Sequence, residues 1–407
     1  MPAVGQPLRL LLGLVAGLAA GILTSGTPAK ILGAVLTPAG SLWLDALTMT
    51  VVPLVFGLLV TGIADASRKA SAGSTTTRAL LLFAAMLTLA TFVAAFLADG
   101  MLAAWPVAVG TLDMAAGTVP GAISGVPTGP WYHMIIPANP LKAAAETAIV
   151  PLVLFALFLG FAIARTPDAS ARALLGPIRA LVDAMLVIVG WVLVVAPIGI
   201  AALAFGAGAT MGAGIVSALG HYVVIVAACC LAATLLAYGW VGLAGPTRFL
   251  GFARAALPTQ AVALGTQSSL ACLPVMVRAS EKLALKNEVV AIVLPLAVSL
   301  FRAASAAANV AVAVYLAHVH GIALGPAGLA LAAFVAVPVS LGAVGLPAQV
   351  SFFATIAPVC IAVGVPVSAL PLLLAIEALP DLFRTLGNVT NDLAAACILG
   401  SRKHTAK

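Results

Sequence analysis

Charge is what this sequence has least of: 8% of its 407 residues are Asp, Glu, Lys or Arg, where a soluble domain carries about 25%. Water could not solvate a fold with so little polar surface, which excludes an ordinary soluble protein. The short alternating strands that a transmembrane barrel needs are also missing. Cysteine is scarce, with 5 in all. Cys229 and Cys230 sit side by side in an apolar stretch, which suits buried thiols, and no Cys/His spacing resembles a zinc motif, so no metal centre is expected. Ser-His-Asp, HExxH and phosphate-loop patterns are absent as well, so neither an enzyme nor a cofactor is expected. His133, His221, His318 and His320 fall near predicted span ends and His404 in the tail; interface packing, not a proton relay, is their expected role.

The sequence is instead rich in apolar residues, at 63% with a mean hydropathy of +1.20. Leu80–Leu97, Ile149–Ala164, Ala184–Ala204 and Tyr222–Leu243 each approach or exceed the roughly 20 residues that cross about 30 Å of hydrocarbon as helix. The predicted class is an all-α polytopic membrane protein. Leu8–Leu23 is read as its first transmembrane helix and not as a signal peptide, since no cleavage site followed by a soluble domain comes after it. The net charge of +7 and pI near 9.4 do not point to nucleic acid, because the basic residues cluster between spans. Arg68, Lys69 and Arg78 form one cluster, Arg165, Arg172 and Arg179 another, and further ones follow at Arg248 and Arg254, at Arg278, Lys282 and Lys286, and at Arg402, Lys403 and Lys407. The connections between them, such as Asp99–Pro140, are nearly free of Lys and Arg. That alternation predicts a multi-pass protein of the cytoplasmic (inner) membrane with both termini in the cytoplasm.

The chain changes character along its length. Residues 1–140 and 141–242 read as long helices, with an outer segment at Val107–Pro140 rich in Gly, Pro and Thr. In residues 243–287 the hydrophobic signal is interrupted by Pro258-Thr259-Gln260 and by Gly265-Thr266-Gln267-Ser268-Ser269, and in residues 323–365 by Gly342 to Gln349. Each interruption precedes a helical stretch with charges inside the membrane: Arg302 in residues 288–322, and Glu377, Asp381, Arg384 and Asp392 in residues 366–407. The bilayer core tolerates irregular backbone only where protein or a water-filled cavity satisfies it, so broken segments at corresponding places point to a transporter binding site.

Glu377, Asp381, Arg384, Asn388 and Asp392 follow one another at steps of three or four, which makes one polar stripe on a helix. An unpaired charge near the bilayer centre costs about 2.5 to over 10 kcal/mol, so the stripe must face a polar cavity or another protein surface. A guanidinium fits a carboxylate with two parallel hydrogen bonds, and Asp381, one turn earlier, suits an ammonium group. The pair describes an amino acid with an acidic side chain, and the site as a whole a small anionic solute, an acidic amino acid or dicarboxylate. The alternative is that Asp381 and Arg384 neutralise each other.

These residues resemble a known family, the dicarboxylate/amino acid:cation symporters, which include the glutamate transporters. Met49 to Gly62 looks like the family's second helix, Ile135 to Glu146 like the approach to its fourth, and Ser268 to Arg278 like the serine-rich tip and outgoing arm of its first re-entrant hairpin. Asp381-Leu-Phe-Arg384-Thr385-Leu-Gly-Asn388-Val-Thr-Asn-Asp392 matches the pattern of its last helix. The resemblance implies about eight spanning helices plus two re-entrant helical hairpins, assembled as a homotrimer in membrane lipid. The N-terminal helices would be the scaffold, and the hairpins and last two long helices a transport domain that moves like an elevator. It further implies that Arg384 holds the substrate's side-chain carboxylate and Asp381 its amino group. Thr385 and Asn388 would hold main-chain groups, and Ser268 and Ser269 the α-carboxylate. The second hairpin, at Gly345, Pro347 and Gln349, would be the gate.

One motif departs from the family. Its penultimate helix carries Asn-Met-Asp-Gly-Thr, whereas here Leu294-Pro295-Leu296-Ala297 is followed by Phe301-Arg302-Ala303-Ala304-Ser305. Oxygen ligands suited to a hard cation are thereby lost, while Ser305 keeps a hydroxyl for the substrate. Arg302 is expected to act as a tethered positive charge paired with Asp392, near Asn388, where a cation would otherwise sit. Sodium coupling is then not expected, which leaves a proton carried through Glu377 or passive exchange. The rival readings keep the fold but change the substrate to another organic anion such as a C4-dicarboxylate, or make the chain a receptor or anion channel.

Overall fold

The computed structural model describes residues 5–24, 27–70, 73–107, 136–212, 214–244, 249–342 and 348–401. Among these, all regular structure is α-helical. The first half of the chain contributes α1 (Gly5–Leu23), α2 (Thr27–Thr48), α3 (Val51–Ala70), α4 (Ser74–Ala104), the short α5 (Pro140–Ala145) and α6 (Ile149–Ala164). Then come α7 (Asp168–Val194), α8 (Ala196–Met211) and α9 (Gly214–Ala244). Two helical hairpins follow, α10 (Phe249–Thr266) with α11 (Ser269–Lys282), and α14 (Gly325–Gly342) with α15 (Ala348–Ala362). Between them run α12 (Asn287–Leu300) and α13 (Ala303–Val319), and α16 (Leu370–Ile376) and α17 (Ala378–Gly400) end the chain. Among the described residues six stretches, Ser74–Ala104 and Asn287–Val319 included, are long and apolar enough to cross a bilayer, so the chain is a multi-pass membrane protein. Most of the segment expected at Val107–Pro140 lies outside the described residues.

Small residues set the closest helix contacts, as they do in lipid, where apolar side chains gain little from meeting one another. Gly13, Gly17 and Gly21 form a stripe on α1 that lies directly on the α8 backbone. A Cβ at these positions would fall 2.2–2.4 Å from the carbonyl oxygens of Pro197, Ala201 and Phe205. Around this pair, α2 packs on α8, and α3 packs on α6 and α7.

The other N-terminal helices behave differently. Although the sequence groups everything before about residue 242 as scaffold, α4 and α9 pack on α13 and α17. They therefore sit with the C-terminal elements. Their apolar faces explain it: Phe83 of α4 stacks on Phe301 with ring centroids 4.6 Å apart, and Tyr222 of α9 meets Tyr315 of α13 at 5.4 Å. The two groups touch where hairpin α14–α15 and α16 meet α1, α3 and α8.

Three local irregularities shape the polar interior. The stretch around Arg302, which the sequence suggests is one continuous run, is broken: Phe301 (φ −101°, ψ 98°) and Arg302 (φ −122°, ψ 62°) are extended between α12 and α13. A helix start inside a membrane exposes N–H groups that need acceptors. Here the side chain of Asn388 reaches across from α17 to supply one. Its Oδ1 accepts from the Ala304 N–H at 3.0 Å and the Ser305 N–H at 3.2 Å, and its Nδ2 donates to Ser305 Oγ at 2.8 Å. Hairpin α10–α11 turns at Gln267, which has a φ of +50°. Its tip is tied to the start of α17 by Gln267 Nε2 donating to the Ala378 carbonyl at 2.8 Å. The expected interruption at Pro258 does not occur, because α10 runs through it. Finally, Glu377 joins α16 to α17 with αR dihedrals.

Candidate functional site

A cleft of about 790 Å³, counting its open mouth, lies between α17, the start of α13 and hairpin α14–α15, with Leu10 of α1 along one side. Among the described residues its charged lining consists of Arg302, Glu377, Asp381 and Arg384. Neutral polar groups complete it: Gln267, Ser305 and Asn309 from one side, Ser340, Ser351 and Thr355 from the hairpin.

Arg384 is 6% exposed. Its Nη1 donates to Asn309 Oδ1 at 3.0 Å. Its Nε lies 2.8 Å from Glu377 Oε1 but out of line with the N–H, so the contact is an ion pair without a well-formed hydrogen bond. Nη2 has no acceptor among the described residues. Glu377 in turn accepts from the Tyr222 hydroxyl at 3.1 Å. The guanidinium is thus held by an amide on one side and a carboxylate on the other, with one donor nitrogen left over. Neutralisation of Arg384 by Asp381, the local alternative, is not formed; Glu377, two turns before Arg384, takes that place.

The expected residues separate into two sets. Arg384, Asp381, Glu377, Arg302 and Ser305 come together in the cleft. Thr385 and Asn388 are buried off it, at 5% and 3% exposure, the latter engaged in capping α13. Ser268 is itself a helix cap, its Oγ accepting from the Ala271 N–H at 3.3 Å. Ser269 opens α11, and neither serine lines the cleft, while Gln267 beside them does. Of the expected gate, Gly345 and Pro347 lie outside the described residues, and Gln349 falls in the first turn of α15.

The expected pairing of Arg302 with Asp392 is not formed either. The helix break makes Arg302 the residue preceding α13, and its side chain leaves toward hairpin α14–α15, where Nη1 donates to Ser351 Oγ at 3.3 Å. Asp392 stays fully buried, with neither carboxylate oxygen hydrogen-bonded among the described residues. The two interact only through space. As for a cation, Phe301 and Ala303 offer no side-chain oxygen, and the Phe301 ring is stacked on Phe83. No cluster of three His, Cys, Asp or Glu residues occurs among the described residues. Phe301 and Ala303 therefore contribute no side-chain ligand for a hard cation at the break.

Asn309, Ser351, Thr355 and Tyr222 were not singled out by the sequence. A signal for the first exists: Arg302, Ser305 and Asn309 are spaced three and four apart in an otherwise Ala- and Val-rich run, which puts them on one helix face. Ser351 and Thr355 repeat that spacing on α15.

Broken helices and a helical hairpin that enclose a polar, charged cleft inside a multi-pass bundle are the architecture of a membrane carrier. Residues 7–401 match the sodium:dicarboxylate symporter family, and the chain belongs to it. Its fold is the glutamate-transporter fold. Similar proteins include C4-dicarboxylate transport protein 2 of Polaromonas naphthalenivorans (strain CJ2), 28% identical over 374 residues that cover 90% of this chain and 82% of that protein. The C4-dicarboxylate transport protein of Deinococcus radiodurans is 28% identical over 373 residues, covering 90% and 83%. C4-dicarboxylate transport protein 1 of Pseudomonas aeruginosa (strain UCBPP-PA14) is 26% identical over 404 residues, covering 96% and 86%.

Proposed function

We propose that the protein is a secondary transporter of a short dicarboxylate across the cytoplasmic membrane. The observation that carries this reading is Arg384, buried in the cleft with one donor nitrogen unused and a carboxylate, Glu377, already against its edge. A substrate carboxylate takes the place of Glu377 on the guanidinium, forming the bidentate pair that arginine favours. The names of the similar proteins favour a C4-dicarboxylate. Asp381 in the same lining extends the substrate class to one bearing an ammonium group, aspartate or glutamate.

The displaced Glu377 must remain inside the membrane, where a bare carboxylate is costly, so it leaves Arg384 as the carboxylic acid. A proton then enters with the substrate, and acidification favours binding. Sodium is not assigned a role. The homotrimer, the elevator movement, the gate in hairpin α14–α15 and the cytoplasmic placement of both termini belong to this same reading.

The test is uptake of labelled succinate, malate and aspartate into proteoliposomes, with each as competitor of the others. Saturable uptake is expected. Arg384→Ala should weaken it by at least about 30-fold, since removing one partner of a buried charge pair costs about 2–5 kcal/mol. Binding with no flux, or current with no saturable flux, would overturn transport in favour of a receptor or channel.

A further inference from the structure

We propose that Arg302 is the second carboxylate anchor of the cleft, so that the substrate is gripped at both ends, by Arg384 and by Arg302. The inference rests on the dicarboxylate reading and adds to it a residue that the family pattern does not contain.

Arg302 lines the cleft, and its guanidinium carries five N–H donors. Nη1 is engaged by a serine hydroxyl at 3.3 Å; among the described residues the guanidinium forms no close ion pair, and Asp381 and Asp392 act on it only through space. Arg384, by contrast, is already held by Asn309 and Glu377. Arg302 also precedes the first turn of the 17-residue helix α13, whose N-terminal dipole adds to the attraction for an anion. The groups that the resemblance assigns to the α-carboxylate are not available in the cleft: Ser268 caps α11 and Ser269 lies off the lining. Asn388 and Thr385, assigned to main-chain groups, are buried off it as well, Asn388 capping α13. With them removed, Arg302 is the cationic group left for that end of the substrate among the described lining residues.

The two arginines are anchored at separate points of the lining: Nη1 of Arg302 on Ser351 of α15, and Nη1 of Arg384 on Asn309 of α13. Ser351, which accepts from Arg302, lies at the same end and would share its carboxylate, and Thr355 lines the cleft one turn further along α15.

The experiment compares succinate with its half-amide, succinamate, by equilibrium titration of the full chain in lipid nanodiscs. The wild type should prefer succinate by at least about tenfold, the worth of one hydrogen-bonded charge. Arg302→Met should narrow that preference to within about twofold while weak binding through Arg384 persists, and Arg302→Lys should recover part of it. A merely structural role for Arg302 would weaken both ligands alike and leave the ratio unchanged, which would overturn the proposal. If Arg302→Met does not fold, the lysine variant serves: a full wild-type ratio with strongly reduced affinity for both ligands would likewise overturn it. Failure of the wild type to bind any dicarboxylate would overturn the functional reading and this inference together, and differs from a wild type that binds while the variant keeps its ratio.

Discussion

Asn388 connects two helices by serving the backbone of one from the side chain of the other. Its Oδ1 takes two N–H groups at the start of α13, and its amide nitrogen holds the Ser305 hydroxyl. Asn388→Ala leaves these groups buried without partners, and each orphaned group costs about 1–3 kcal/mol. The expected result is a fall in the melting temperature of the detergent-solubilised protein, with Asn388→Asp, which keeps an acceptor, falling less. An alanine variant that melts like the wild type would mean that α13 is capped in some other way. Asn388 was legible in the sequence as a residue of the polar stripe, but its task was not. Spacing puts a side chain on a helix face without saying whether a cleft or a neighbour's open backbone lies opposite. Glu377 is the same case: the stripe contains it, and only the packing of α9 brings Tyr222 to it.

Helices here meet through backbone where the sequence provides glycine. The α1 stripe makes a sharp prediction: at Gly17 a Cβ would fall 2.2 Å from the Ala201 carbonyl oxygen, so Gly17→Ala must push α1 and α8 apart. Overpacking of this kind costs about 1–3 kcal/mol. At Gly176 of α7 a Cβ meets nothing within 4 Å, and Gly→Ala there gains up to about 1 kcal/mol of helix propensity. Opposite shifts in melting temperature are expected, and equal shifts would show that α1 and α8 are not so closely packed. The breaks are a separate lesson. The tip of hairpin α10–α11 was legible from its Gly, Gln and Ser run, yet Pro258, Pro274 and Pro295 all lie inside helices. The break before α13 falls at Phe301–Arg302, where no Gly or Pro marks it. It persists because Asn388 from another helix satisfies the freed amides.

On the scale of the whole molecule, the cleft holds two guanidiniums, Arg302 and Arg384, against two carboxylates, Glu377 and Asp381. A dianion entering this balanced lining brings uncompensated charge into a region of low dielectric, so cations must accompany it. With Phe301 and Ala303 where oxygen ligands would be needed, protons are the expected companions. Uptake should therefore survive replacement of sodium by choline and rise when the outer solution is acidified. Complete loss of uptake in choline would restore sodium coupling.

The sequence by itself determined the membrane class, the family and the residues of the last helix. A scarcity of charge, runs long enough to cross a bilayer and a fixed polar spacing are properties of the chain that no packing can change. Only the tertiary structure decided that α4 and α9 sit with the C-terminal helices, that Glu377 and not Asp381 pairs with Arg384, and that Arg302 turns to the cleft and leaves Asp392 alone. Each of these depends on which groups from distant parts of the chain meet in a place closed to water. There an unpaired charge or amide takes whichever partner packing brings within about 3 Å, and sequence spacing does not record that choice.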